Sequence, residues 1–135
     1  MTRTVLITTA VFLGVCIGAT GTQASPRPAN VLRADIAEWS IVPSEGVVDA
    51  GNVRIVARNL GAQAHQLTVV RTSVFAQDLP LRGDHALARP VGSSVLVAPG
   101  RVVSFVVHLR RGSYLLVDNL PWHYWKGTQA AFAVR

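Results

Sequence analysis

Cysteine is almost absent from this 135-residue chain. The only one, Cys16, lies inside an apolar run near the N-terminus. If that run is removed on export, as argued below, the remaining chain has no thiol. The absence excludes disulfides, a thiolate nucleophile, a redox-active cysteine pair and a metal-binding thiolate from the rest of the protein.

Lysine is equally scarce, so the positive charge is carried almost entirely by arginine. Lysine and arginine together number 13 against 7 acidic residues, giving a formal net charge of +6, and Lys126 is the only lysine. Apart from the adjacent Arg110 and Arg111, the arginines are scattered. No basic block interleaved with aromatics points to nucleic acid. We interpret the surface as basic and solvated; an acidic partner or an anionic membrane surface is the alternative.

The first 24 residues have the features of an export signal. Arg3 belongs to a short positive region, residues 5–17 form an apolar stretch too short for a good membrane span, and residues 22–24 offer a small-residue cleavage site. We therefore predict a signal peptide over residues 1–24, a linker over residues 25–30, and a protein that works outside the cytoplasm, periplasmic or secreted.

Two alternatives to cleavage stay open. The segment could be retained as an anchor, which would be the only source of stable membrane insertion. Cys16 could instead carry a lipid, although Val15 stands where a small residue is expected.

The rest of the chain consists of short apolar segments separated by turn signals. Val53, Ile55 and Ala57 alternate with polar neighbours, a period of two that is typical of a half-buried strand. We predict strands at residues 34–41, 53–59, 65–71, 95–97, 102–109, 113–117 and 128–134, with the fourth, fifth and sixth forming a meander.

Helical periodicity is missing beyond the apolar N-terminal stretch. Residues 73–93 have no clean period and contain several Pro, Gly and Asp residues, so we predict a long surface excursion with at most one short helical turn. Short strands, regular turns and one long excursion indicate an all-β fold. We predict a Greek-key β-sandwich of seven or eight strands over residues 31–135.

Residues 114–128 carry the most informative pattern. An apolar strand leads into a loop with one histidine, His123, crowded by Trp122, Tyr124 and Trp125. Loops held by a rigid strand framework are common places for binding residues. The loop resembles the ligand loop of the cupredoxins, small blue-copper proteins whose pattern runs Cys-Asn-Leu-Pro-Gly-His-Tyr-x-x-Gly-Met. The residues in register are Asn119, Leu120, Pro121, His123, Tyr124 and Gly127.

The resemblance extends over nearly all of the chain after the signal. The segments in the family's order and spacing are Ile41-Val42-Pro43, Asp49-Ala50-Gly51, Asn59-x-Gly61, His65-x-Leu67, Ala98-Pro99-Gly100 and Arg111-Gly112-x-Tyr114. It implies a cupredoxin-like fold for the chain that follows the predicted signal peptide. It also implies that His65 and His123 are the two histidine ligands, with Asp118 at the position of the copper-binding Cys and Thr128 at that of the axial Met.

These two replacements decide the expected chemistry. A blue-copper centre needs a thiolate, two imidazoles and a weak axial thioether. Asp118 offers a hard carboxylate and Thr128 at best a weak neutral oxygen. We therefore predict a non-blue site formed by His65, Asp118 and His123 that binds copper, or zinc as the alternative metal, without fast electron transfer.

Each of these residues also has a purely structural interpretation. His65 or His123 could simply satisfy hydrogen bonds in the fold, and Asp118 could cap backbone N–H groups of the loop. His85 and His108 match no ligand position, and we predict that both are solvated.

No pattern of the chain indicates an enzyme. There is no recognisable Ser-His-Asp set, no Gly-rich phosphate loop and no patterned pair of catalytic carboxylates. Hydrolysis by a metal-bound water is the one enzymatic alternative. The alternative to metal binding is a metal-free interaction module whose protein partner contacts the loop of Trp122, Tyr124 and Trp125.

Overall fold

A computed structural model describes residues 30–92 and 94–135, which form a two-layer β-sandwich. The predicted signal peptide and residues 25–29 of the predicted linker lie outside the described residues. Within the described part, no helix has the length and apolar character needed to cross a membrane.

Eleven strands and one 3₁₀ turn, at Ala76–Asp78, make up the regular structure of the described residues. In chain order the strands are β1 (Val31–Ala37), β2 (Ser40–Pro43), β3 (Val47–Val48), β4 (Gly51–Asn59), β5 (His65–Arg71), β6 (Leu81–Arg82), β7 (His85–Ala86), β8 (Val95–Val97), β9 (Val102–Leu109), β10 (Gly112–Asp118) and β11 (Gln129–Val134). One sheet has the order β2-β1-β4-β9 and the other β3-β11-β10-β5-β8, while β6 and β7 form a separate hairpin.

Alternation of apolar and polar residues explains how the two sheets face each other. In β1, Leu32, Ala34 and Ile36 are fully buried, whereas Arg33 is exposed on the opposite face. β4 repeats the pattern, and its register with the parallel β1 sets Leu32 beside Ile55. The inward side chains of both sheets form one apolar core. The predicted β-sandwich is therefore confirmed, with nine strands in its two sheets rather than seven or eight, because the two-residue β3 is too short to show a period.

Two predictions about strand arrangement are wrong. Residues 34–41 are not one strand: β1 ends at Ala37, Glu38 and Trp39 form a turn, and β2 returns antiparallel. The segments 95–97, 102–109 and 113–117 are not a meander, because β8 and β10 pair with β5 while β9 pairs with β4 in the opposite sheet. Alternation identifies a strand but carries no information about which sheet the strand joins.

The predicted surface excursion is only partly at the surface. It contains the short 3₁₀ turn and the β6–β7 hairpin, and its Leu79 and Ala86 are buried against the outer face of the five-stranded sheet. The other buried members of this second apolar cluster are Val70, Leu115, Val117 and Tyr124. Because the excursion covers the outer face of this sheet, five consecutive residues of β10 are buried, although their side chains alternate between the two faces.

Tyr124 attaches the excursion to the sandwich through its hydroxyl, and this contact gives a first prediction. The hydroxyl accepts the Leu79 N–H at 2.8 Å and donates to the Ala76 carbonyl at 2.8 Å. Burial raises the pKa of Tyr124, so the hydroxyl stays protonated and able to donate. Because Tyr124→Phe leaves both backbone groups without their partner, we expect the free energy of unfolding to fall by about 1–3 kcal/mol.

Urea unfolding and amide hydrogen exchange would check this expectation. The Leu79 amide should exchange faster in Tyr124→Phe, whereas amides of β1 and β4 should change only as much as global stability does. Unaltered exchange at Leu79 would contradict the anchoring role.

Candidate metal centre

The structure brings His65, Asp118 and His123 together at one end of the five-stranded sheet. Pairing of β5 with β10 places the first residues of β5 beside the last residue of β10, with Leu67 opposite Asp118. His123 follows in the loop after β10. The exposed fractions are 0% for His65 and Asp118 and 8% for His123, so the group is buried.

Both imidazoles face the same carboxylate oxygen. The Nδ1 atom of His65 lies 2.6 Å, and that of His123 2.5 Å, from Oδ2 of Asp118. One ligand atom from each of the three residues lies within 4.8 Å of the others. Two nitrogens and one oxygen therefore converge on a single small volume.

The second carboxylate oxygen of Asp118 is fixed by the backbone. Oδ1 accepts the Gln66 N–H at 2.8 Å and the Leu120 N–H at 3.2 Å. Asp118 thus also has the capping role that the sequence left open as an alternative. Because these two bonds come from β5 and from the loop, they orient Oδ2 towards both histidines.

The loop itself is a series of tight turns that hold His123 in place. His123 N–H donates to the Leu120 carbonyl at 3.1 Å, and Thr128 N–H donates to the His123 carbonyl at 3.2 Å. Trp122 occupies the left-handed region with φ 67°, at the position where the cupredoxin pattern has Gly. Its N–H donates to the Asp84 carbonyl at 2.8 Å, a contact with the β6–β7 hairpin that supports this backbone conformation.

Thr128, at the predicted axial position, is fully buried. Its backbone carbonyl accepts the Asp118 N–H at 3.0 Å, which closes the loop. Within the described part of the chain, its Oγ1 has no hydrogen-bond partner. A buried hydroxyl without a partner is uncommon and leaves a neutral oxygen available beside the loop.

Two residues near the site were not predicted from the sequence, Glu38 and Trp39. Both belong to the turn between β1 and β2, which sequence reasoning assigned to the middle of a strand. The Trp39 ring meets the His123 ring edge-on at 5.0 Å between centroids, and Lys126 Nζ lies 3.9 Å above the Trp39 ring. Glu38 Oε1 lies 3.7 Å from Nε2 of His65. The only sequence signal for this turn was the presence of a charged residue and a Trp, Glu38 and Trp39, within an otherwise alternating segment.

The three aromatic side chains of the loop differ in how far they are exposed to solvent. Tyr124 is buried, whereas Trp122 is 53% and Trp125 65% exposed, with their ring centroids 6.2 Å apart. Trp122 therefore does not shield the site, and the ring packed on His123 is that of Trp39.

The other two histidines lie outside the cluster. His85 has a side chain that is 45% exposed, and its Nδ1 lies 2.5 Å from Oδ1 of Asp84. His108 is exposed, with Nδ1 3.1 Å from Oδ1 of Asn52. Their predicted contact with solvent is confirmed.

The donor set determines which metal the residues would fit. Imidazole nitrogen with carboxylate oxygen suits Zn²⁺ and Cu²⁺, and the buried convergence of three such atoms fits a divalent cation. The described residues contain no thiolate, so the site does not fit a blue-copper centre. At these distances, hydrogen bonds to the Asp118 carboxylate oxygen Oδ2 require each ring to carry its proton at Nδ1.

Comparison with known proteins identifies the fold. The sequence matches no family profile and no curated protein. The structure is similar to reduced auracyanin from the photosynthetic bacterium Roseiflexus castenholzii, with a TM-score of 0.61 and 15% identity over 79% of this chain and 98% of that chain. For auracyanin B the TM-score is 0.56 at 15% identity, covering 83% of this chain and 93% of that one.

Rusticyanin from Thiobacillus ferrooxidans gives a TM-score of 0.54 at 14% identity, covering 79% of each chain. Identities this low establish the fold alone. Auracyanin and rusticyanin are cupredoxins, so the predicted resemblance is confirmed at the level of fold. This chain therefore has a cupredoxin-like fold.

Proposed function

We propose that this protein binds a divalent metal ion, copper or zinc, through His65, Asp118 and His123, and that it holds or passes on the ion without carrying electrons rapidly. The supporting observation is the convergence of both Nδ1 atoms on Oδ2 of Asp118, with all three side chains buried. A cation bound there would take the place of the two ring N–H groups that face the carboxylate oxygen.

The chemistry of the donors limits what the ion would do. Rusticyanin is described as a copper protein, and its fold is shared by this chain. A carboxylate at the thiolate position favours Cu²⁺ over Cu⁺ and removes the covalent sulfur bond of a blue centre. The proposal therefore includes neither fast electron transfer nor a catalysed reaction.

Export is a separate part of the proposal. It is supported by Arg3, the apolar stretch over residues 5–17 and the small residues before the cleavage site after Ala24. A chain beginning near Ser25, recovered outside the cytoplasm and identified by mass spectrometry, is the expected result. Full-length chain found only in the cytoplasm would contradict it.

A metal titration tests the binding proposal directly. Wild-type protein should bind about one Cu²⁺ or Zn²⁺ per chain. His65→Ala and His123→Ala should each lower the affinity by more than the about 10–100-fold that loss of a supporting hydrogen bond costs a metal site. Competition against a chromophoric chelator, together with elemental analysis, gives both numbers.

His108→Ala is the matched control for this titration, because His108 is exposed and lies outside the cluster. It should bind metal as the wild type does. If wild-type protein binds no better than His65→Ala, the metal site is not the one proposed.

A metal-free interaction module is the second candidate function. It is favoured by the exposure of Trp122 and Trp125, which lie next to each other at the end of the sandwich. Exposed aromatic pairs of this kind are frequent at protein-binding surfaces. The titration separates the candidates, since a module of this type would bind no metal at His65, Asp118 and His123.

A further inference from the structure

His65 has a ring nitrogen whose surroundings the metal proposal does not yet explain. Its Nε2 atom is buried and has no hydrogen-bond partner among the residues that the structure describes. A carboxylate oxygen, Oε1 of Glu38, lies 3.7 Å away. Unpaired buried polar atoms are rare, and one that faces a carboxylate invites a functional explanation.

The tautomer of the imidazole accounts for the missing bond. A neutral imidazole carries one proton. Nδ1 is within hydrogen-bonding distance of Asp118. A neutral ring that donates to this carboxylate has its proton at Nδ1, which makes Nε2 an acceptor facing another acceptor. A metal bound at Nδ1 would need that nitrogen's lone pair. The ring would keep its single proton at Nε2, and Nε2–H would then be a donor directed at Glu38.

The carboxylate of Glu38 is held where this donor would need it. Its Oε1 accepts the Gln63 N–H at 2.7 Å. The same N–H bond is the largest cause that lowers the pKa of Glu38, so the group is charged at neutral pH. Gly61 leaves the space for it, because a Cβ at that position would clash with the Glu38 carboxylate. The distance of 3.7 Å to Nε2 exceeds a hydrogen bond by roughly half an ångström, which a small ring rotation would close.

We propose that Glu38 is a positioning residue for the metal-bound form of His65, accepting the Nε2–H bond that exists only when Nδ1 binds the ion. The inference rests on the proposed metal function and adds a residue to it. Such a bond fixes the ring orientation and raises the basicity of the ligand nitrogen. Glu38 would therefore favour the metal-bound tautomer of His65 over the metal-free one.

Three variants test this role. Glu38→Ala removes the acceptor and should lower Cu²⁺ affinity by about 10–100-fold. Glu38→Gln keeps an oxygen that can accept Nε2–H, so it should lower the Cu²⁺ affinity by a smaller factor than Glu38→Ala does. Gly61→Ala should resemble Glu38→Ala, because the added Cβ displaces the carboxylate without removing its charge. Glu45→Ala is the matched control, since Glu45 is exposed and is the only other glutamate of the chain.

Two spectroscopic measurements separate positioning from a purely structural role. Each metal-bound imidazole has a second ring nitrogen that does not contact the metal. Pulsed electron paramagnetic resonance of the copper-loaded protein detects these second nitrogens. In Glu38→Ala, the quadrupole coupling of the second nitrogen of His65, Nε2, should change, while that of the second nitrogen of His123 should stay constant. In metal-free protein, nitrogen-15 NMR should show the His65 proton at Nδ1, and addition of Zn²⁺ should move it to Nε2.

The outcomes are distinct for the two proposals. Failure of wild-type protein to bind metal would overturn the proposed function and this inference with it. Wild-type binding with equal affinity in Glu38→Ala and Glu45→Ala, and unaltered nitrogen couplings, would overturn the role of Glu38 alone. If Glu38→Ala does not fold, Gly61→Ala decides the question, because nitrogen couplings identical to wild type in a variant whose Glu38 carboxylate is displaced would exclude the Nε2–H bond to Glu38.

Discussion

Asp118→Cys is expected to turn an intense colour on addition of Cu²⁺, whereas the wild-type protein is expected to stay pale. The substitution puts a sulfur at the position where two imidazole Nδ1 atoms converge. Sulfur-to-copper charge transfer is strong, whereas nitrogen and carboxylate ligands give Cu²⁺ only weak visible bands. The N–H groups of Gln66 and Leu120, which now donate to Asp118, would remain to hold the thiolate.

The visible spectrum after Cu²⁺ addition checks this expectation. Cys16→Ser in the same protein would make the new thiol unique. Asp118→Ser is the matched control, because it offers a side chain of similar size with oxygen in place of sulfur and should stay pale. If Asp118→Cys binds copper yet remains colourless, residue 118 does not reach the bound ion, and the metal-free interaction module becomes the better explanation of this domain.

Asp118→Ala is expected to have the largest effect on stability. The carboxylate is fully buried and accepts hydrogen bonds from two imidazoles and two backbone N–H groups. Alanine would leave all four donors buried without an acceptor. We expect the free energy of unfolding of the metal-free protein to fall by about 3–5 kcal/mol, the range found when one member of a buried polar network is removed.

Urea unfolding in the presence of a chelator would measure this loss. Asp118→Asn should lose less of the free energy of unfolding than Asp118→Ala, because its amide oxygen can still accept hydrogen bonds from the N–H groups of Gln66 and Leu120. Asp35→Ala is a control for the loss of an aspartate, since its ion pair with Arg58 joins side chains that are 40% and 54% exposed. Such exposed pairs contribute at most about 1 kcal/mol. Equal losses in Asp118→Ala and Asp35→Ala would contradict the arrangement around Asp118.

The parts of this structure that were predictable from sequence depend on local patterns. The alternation around Val53, Ile55 and Ala57 identified β4, and the Asn-Leu-Pro-x-His-Tyr loop identified the region of the site. Alternation results from the geometry of a single strand with one buried face, so it can be read from the sequence without knowledge of its neighbours.

The unpredicted parts depend on contacts between distant segments. The turn at Glu38 and Trp39 contains no Gly or Pro, so nothing separated β1 from β2, and both residues were placed in a strand. The convergence of two imidazoles on one oxygen requires the register that sets Leu67 opposite Asp118. Register of this kind follows from packing of whole sheets, and no short window of sequence contains it.

The separation of the three site residues along the chain has a consequence for how the protein folds. His123 is 5 residues from Asp118, but His65 is 53 residues from it. In an unfolded chain only Asp118 and His123 are near each other, and the third donor arrives when β5 pairs with β10. Sheets built from such distant pairings, including the parallel β1–β4 pair, typically fold in milliseconds to seconds.

A metal ion that meets the chain early would therefore find an incomplete site and bind weakly. After folding it would find all three donors, and this preference for the native state would add to stability. At a free metal concentration of 100 times the dissociation constant, the gain would be about 2.7 kcal/mol. If the proposed site binds a metal ion, that ion would be acquired late in folding and would then slow unfolding.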